Sequence, residues 1–128
     1  FLSESFEFGQ HPGLSLIPGQ VVKLQPKREV KIPHVGWASI YADSNQLCDA
    51  HRWEKTLLKK TKPGTEFYFV HSFVCQPKHS EDVLAVAFYG DTPFAAAIKK
   101  GNIMGCQFHP EKSGVEGLKV LQMFLNLK

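Results

Sequence analysis

His109 and Glu111 stand two residues apart after an apolar run, in the stretch Gly105-Cys106-Gln107-Phe108-His109-Pro110-Glu111-Lys112-Ser113-Gly114. On an extended chain, side chains at that spacing lie on the same side. Pro110 fixes its own φ and keeps His109 extended. A carboxylate beside an imidazole can accept its Nδ1–H, set the tautomer and favour the protonated ring. Such a histidine is suited to take a proton from a thiol and return it to a leaving amine. A surface ion pair has the same spacing, so spacing alone leaves both readings open.

Other residues that could do chemistry carry weaker signals. His71 ends an aromatic strand and, taken alone, suits a hydrogen-bonded core or rim histidine. His34, between Pro33 and Val35-Gly36-Trp37, suits a structural role and a partner contact equally well. His11, His51 and His79 lie in polar surroundings, where we expect solvent exposure. No two histidines show metal spacing on a helix face, so no metal is expected. No glycine-rich phosphate loop is present, and no cofactor is expected. Cys106 lies three positions before His109 in the strand that feeds it, which points it to the opposite face as a packing residue. Cys48 and Cys75 sit in or near polar loops and lack a glycine-rich elbow.

The elements that must position the dyad follow from the hydrophobic pattern. The 128 residues are 43% hydrophobic and include ten Phe, enough for one domain with a core. The net charge of +3 is too diffuse for a nucleic-acid groove. No run approaches the roughly 18 apolar residues of a membrane span. Three cysteines without C-x-x-C spacing suit a reducing, cytoplasmic setting.

Residues 1–8 suggest the end of a helix, punctuated by Gly9 to Gly13. Strands are expected at Val21–Leu24, Lys31–Val35, with Pro33 at an edge or bend, and Gly36–Tyr41. Trp53, Leu57 and Leu58 suggest a short helix over Arg52–Lys60, and Lys59 to Lys62 a solvated face. Glu66 to Phe73 is the densest strand signal, followed by a polar loop from Gln76 to Asp82. Val83–Tyr89, Phe94–Lys99 and Ile103–Phe108 predict three strands joined by hairpin turns. Val115–Leu127 predicts a closing helix, its Leu118, Leu121, Phe124 and Leu125 stripe packed into the core. Strands followed by a final helix mean α/β or α+β.

Gln107-Phe108-His109-Pro110-Glu111-Lys112-Ser113 resembles the C-terminal triad motif of class I glutamine amidotransferases. Further segments are similar, in the same order, to the glutaminase subunits of imidazole glycerol phosphate synthase. They are Glu4-Ser5-Phe6-Glu7-Phe8-Gly9, Gly13 to Gly19, Pro33-His34-Val35-Gly36-Trp37, Tyr68-Phe69-Val70-His71-Ser72, Tyr89-Gly90, Ala96-Ala97 and Gly101-Asn102-Ile103. The resemblance covers nearly the whole chain, from Leu2 to Leu127.

It implies a flavodoxin-like α/β fold with an open, largely parallel sheet. Residues 1–128 would be the C-terminal part of a single such domain, with mixed or antiparallel strands and the last helix. His109 would be the general base and acid, and Glu111 its orienting carboxylate. Glu7 would contact the substrate L-glutamine, and His71, Ser72 and Phe73 would hold its amino-acid end. Trp37, Tyr68 and Lys112 would face a (β/α)₈ synthase or cyclase partner that receives ammonia for histidine biosynthesis.

Two departures stand out: Ala38 where Asn commonly follows Gly-Trp, and Phe73 where Tyr commonly follows His-Ser. They leave open a paralogue that aminates a surface-polysaccharide sugar. The family's nucleophile elbow should lie just upstream of Phe1, where there is no initiator Met. We therefore expect an N-terminal half elsewhere, and a chain that is inactive alone, exposes apolar surface, and aggregates or depends on another chain. A degenerate, partner-binding subunit is the non-enzymatic alternative.

Overall fold

A computed structural model describes residues 1–43 and 50–127. Cys48, expected in a polar loop, lies outside the described residues. Among the described residues are three 3₁₀ turns, one α-helix and nine strands, the strands arranged as three small sheets. The first sheet has the order β2-β1-β3-β6, formed by β1 (Glu4–Ser5), β2 (His11–Pro12), β3 (Gly19–Lys23) and β6 (Phe73–Pro77). The second pairs β4 (His34–Ser39) with β5 (Glu66–His71). The third runs β7 (Val83–Tyr89), β8 (Thr92–Lys100) and β9 (Ile103–Cys106). Among the described residues all pairings are antiparallel except β1 with β3.

β8 is the central element. Phe94 to Ile98 are all buried, because the Ala95-Ala96-Ala97 run lets apolar groups pack closely on both faces. On one face lies the main core, with Trp53, Leu58, Phe67, Phe69, Leu84 and Phe108 among its members. On the other, Ala95 and Ile98 meet Leu2 and Ile17. Gly90 and Asp91 both adopt positive φ (54° and 62°), the mirror-image turn that suits the β7–β8 hairpin.

Four expectations are corrected. Residues 1–8 are not helical: Ser3 N–H donates to Gly19 C=O and Phe6 N–H to Val21 C=O, so their hydrogen bonds go to β3. So short a segment gains more from a neighbouring strand than from a costly helical nucleus. Arg52–Lys60 is likewise no α-helix. A 3₁₀ turn, Ala50–Trp53, passes into successive tight turns, with Lys55 at φ 57° and Thr56 Oγ1 donating to Trp53 C=O. That local side-chain bond competes with helical pairing.

The strand expected from Glu66 to Phe73 breaks at Ser72, where the chain passes from the second sheet to the first, and β6 takes Gln76 and Pro77 from the expected loop. Finally, the Leu118, Leu121, Phe124 and Leu125 stripe of α1 (Gly114–Asn126) faces outward, with Leu118 56% exposed and Leu125 80% exposed. The helix docks through Gly117 and Val120 instead, and a Cβ on Gly117 would meet the Pro110 carbonyl oxygen at 1.8 Å. A helix apolar on two faces has a periodicity that cannot say which face is covered.

Candidate active site

His109 is placed by a chain that changes partners. Gln107 N–H still donates to Ala96 C=O of β8 at 2.8 Å, but His109 N–H donates to Tyr68 C=O of β5 at 2.9 Å. The segment after β9 therefore bridges the second and third sheets and delivers the imidazole where they meet. Phe108 is buried against Phe67, their ring centroids 4.3 Å apart, which anchors the step beneath the histidine. Pro110–Lys112 then forms a 3₁₀ turn.

That turn brings Glu111 back onto the ring, with Oε1 2.9 Å from His109 Nδ1. The extended spacing expected for the pair is corrected here: a turn, not a strand, makes the contact. The carboxylate accepts, so Nδ1 carries the hydrogen and Nε2 is left as the base. The Glu111 carboxyl is held below the usual carboxylate range, first by its own backbone N–H and then by His109, so it stays ionised beside the imidazole. Both side chains are partly open to solvent, 38% for His109 and 57% for Glu111.

Ser113 was quoted in the sequence motif without a role, and the structure supplies one. Its buried hydroxyl donates to His109 C=O at 2.7 Å and accepts Tyr68 N–H at 3.0 Å. One oxygen thus ties the β5 backbone to the turn that holds the dyad. A serine four residues after a histidine is the signal that sequence offered, but its second partner is 45 residues away.

His71 lies beneath the site, 7% exposed, its basicity lowered first by burial and also by the charge of His109. Ser72 and Phe73 form the half-buried corner beyond it. His34 is 3% exposed and stacks on Tyr89, with ring centroids 4.1 Å apart. Of its two expected roles the structure leaves the structural one, since a buried ring offers a partner nothing to touch. His11, His51 and His79 are exposed as expected, as are Lys59, Lys60 and Lys62.

Alternation along β4 and β5 turns Val35, Trp37, Tyr68 and Val70 to the opposite, outward face. Trp37 is 54% exposed and meets Tyr68 edge-on, with centroids 6.0 Å apart. Lys112, also exposed, follows the dyad in the 3₁₀ turn. Glu7 is not drawn into this group: it lies in an exposed turn where its N–H donates to Ser5 Oγ at 3.2 Å, and no described hydrogen bond or ion pair joins it to His71 or His109.

Both described cysteines have thiols shifted away from the reactive, ionised form. Burial, then the negative charge of Glu111, pushes the Cys106 thiol up to about 11, and burial raises Cys75. A reactive cysteine needs the reverse shift. Among the described residues no group of three His, Cys, Asp or Glu is placed to hold a metal, and no helix is long and apolar enough to cross a membrane.

The Glutamine amidotransferase class-I family matches residues 7–127. The chain is 44% identical to the imidazole glycerol phosphate synthase subunit HisH 1 of Legionella pneumophila (strain Lens), over 98% of this chain and 59% of that protein. It is 40% identical to the HisH subunit of Chlorobaculum tepidum, over 97% of this chain and 57% of the relative. With the HisH subunit of Caulobacter vibrioides it shares 44% identity, over 96% and 54%. The chain thus spans little more than half the length of these curated relatives.

Proposed function

Because the chain belongs to the class I glutamine amidotransferase family, we propose that it supplies the base-and-carboxylate half of a glutaminase site. In this reading residues 1–128 are the C-terminal part of one amidotransferase domain. The observation that carries it is the 2.9 Å contact between His109 Nδ1 and Glu111 Oε1 at the junction of two sheets, with Nε2 left as the base. Burial raises the thiols of both Cys75 and Cys106, and in this reading the thiol that His109 serves comes from outside these described residues.

His109 Nε2 takes the proton of that thiol, and the thiolate attacks the side-chain carbonyl carbon of L-glutamine. As the tetrahedral intermediate collapses, the imidazolium, stabilised by Glu111, gives its proton to the departing ammonia. Water, deprotonated by the same nitrogen, then cleaves the thioester and releases glutamate. His71, Ser72, Phe73 and Glu7 are assigned to glutamine; for Glu7 this requires the exposed turn after β1 to move toward the site.

The outward Val35, Trp37, Tyr68 and Val70 face, beside Lys112, is assigned to a (β/α)₈ synthase partner. An aromatic apolar patch is the composition of an interface core, and Lys112 beside it suits the polar rim. Such docking would let ammonia pass directly to the acceptor in a cytoplasmic biosynthetic complex. The printed names of the relatives all refer to imidazole glycerol phosphate synthase, which favours histidine biosynthesis over amination of a polysaccharide sugar.

The test is glutamine hydrolysis by the natural gene product with its synthase partner. His109→Gln is expected to lower turnover by at least about a hundredfold, the scale of general acid–base catalysis. Unchanged turnover in His109→Gln refutes the assignment.

A further inference from the structure

Two buried histidines face each other across the β4–β5 pair, and the dyad chemistry uses neither. His34 and His71 occupy the same register position, and His34 Nδ1 lies 2.9 Å from His71 Nε2. The other nitrogen of His71, Nδ1, lies 3.0 Å from the Phe73 carbonyl oxygen. A carbonyl can only accept, so His71 Nδ1 carries the hydrogen. A neutral His71 then has a bare Nε2, which needs a donor. Among the described residues the group at hydrogen-bond distance is His34 Nδ1, so His34 carries its hydrogen there. The protons are thus ordered in one direction: His34 Nδ1–H to His71 Nε2, then His71 Nδ1–H to Phe73 C=O.

This chain of two bonds ends on the corner where the polypeptide leaves one sheet for another. Phe73 C=O receives His71, and Ser72 C=O receives Leu24 N–H at 2.8 Å from the far side. His34 itself is immobilised: its ring stacks between Tyr89 and Phe69, and Tyr89 is tied by its hydroxyl to Lys31 C=O at 2.6 Å. A donor so fixed pins the far side of the His71 ring, whose tautomer the Phe73 carbonyl already selects.

We infer that His34 is a positioning residue that, through the hydrogen bond it donates to His71 Nε2, fixes the His71 ring and so holds the Ser72–Phe73 backbone in the geometry that receives the amino-acid end of the substrate. The inference rests on the assignment of the His71–Phe73 corner to glutamine. It says that the site's affinity is set from a buried position which no substrate atom touches. Loss of His34 Nδ1–H should therefore raise KM and leave kcat nearly unchanged, because the corner is remote from the proton transfers at His109.

The experiment compares wild type, His34→Phe and His34→Asn in the natural gene product with its synthase partner. Phe keeps a ring in the stack without a donor, while the Asn amide nitrogen can stand near the place of Nδ1. Long-range nitrogen–proton NMR of the histidine rings reports whether His71 Nε2 accepts a hydrogen bond. Wild type and His34→Asn should show a hydrogen-bonded Nε2; His34→Phe should shift that nitrogen to its unbonded position and raise KM for glutamine about tenfold, the scale of one unmet buried hydrogen bond. If His34→Phe does not fold, His34→Leu carries the same expectation.

An unchanged His71 signature in the donor-less variant overturns the inference, as does a loss confined to kcat. If wild type turns over no glutamine at all, the glutaminase assignment is what has failed. The effect on substrate falls with it, while the NMR comparison still decides whether His34 holds the His71 ring.

Discussion

Acidification between about pH 7 and pH 5 should destabilise the protein through its buried histidine pair. Burial, and then the neighbouring His71, push the basicity of His34 down from 6.5 to about 4. In the unfolded chain the ring takes up a proton as the pH falls through 6.5, whereas in the folded protein it stays neutral until about 4. The unfolded state therefore binds more protons across that window, and stability falls as the pH falls. It is fully present above 6.5 and is lost on the way down to about 4.

Each pH unit in the window removes about 1.4 kcal/mol, so moving from pH 7 to pH 5 removes about 2 kcal/mol through His34 alone. His71, whose basicity burial also lowers, acts in the same direction. The rings around His34 are those of Phe69, Tyr89, Phe94 and His71. Urea unfolding followed by fluorescence of Trp53, which is buried, measures the loss. The control is His34→Phe, which should flatten the dependence by about that 2 kcal/mol. Equal pH dependence in wild type and variant would refute the reasoning.

Ser113→Ala removes a donor to His109 C=O and the acceptor of Tyr68 N–H, so it should cost about 2 kcal/mol in urea unfolding. A loss near zero would mean that water replaces the hydroxyl. Leu118→Glu with Leu125→Glu, placed on the exposed face of α1, should shift sedimentation of the isolated chain toward monomer without lowering its thermal midpoint. A wild-type chain that is already monomeric would refute self-association through that stripe.

The His109–Glu111 contact was legible because it is local: His109, Pro110 and Glu111 lie within one turn, although spacing alone left a surface ion pair open beside the dyad. Strands β7 to β9 were legible for a similar reason, since alternation and turn residues are properties of short windows. The outward Trp37 and Tyr68 were also named from sequence, although their edge-on pairing depends on the β4–β5 register. The failures came where distant groups decide. Residues 1–8 have a helical look, yet β3 supplies the partners for their backbone. Thr56 converts a helical pattern into turns through one side-chain bond, which periodicity cannot register.

By itself the sequence determined which side chains could do acid–base chemistry and, through ordered motifs along almost the whole chain, which family they belong to. Only the tertiary structure decided which face of α1 is covered, that Ser113 joins β5 to the dyad, and that His34 faces His71. Each of these depends on contacts between residues far apart in the chain. Residue type and spacing carry no record of such distances until the sheets are packed.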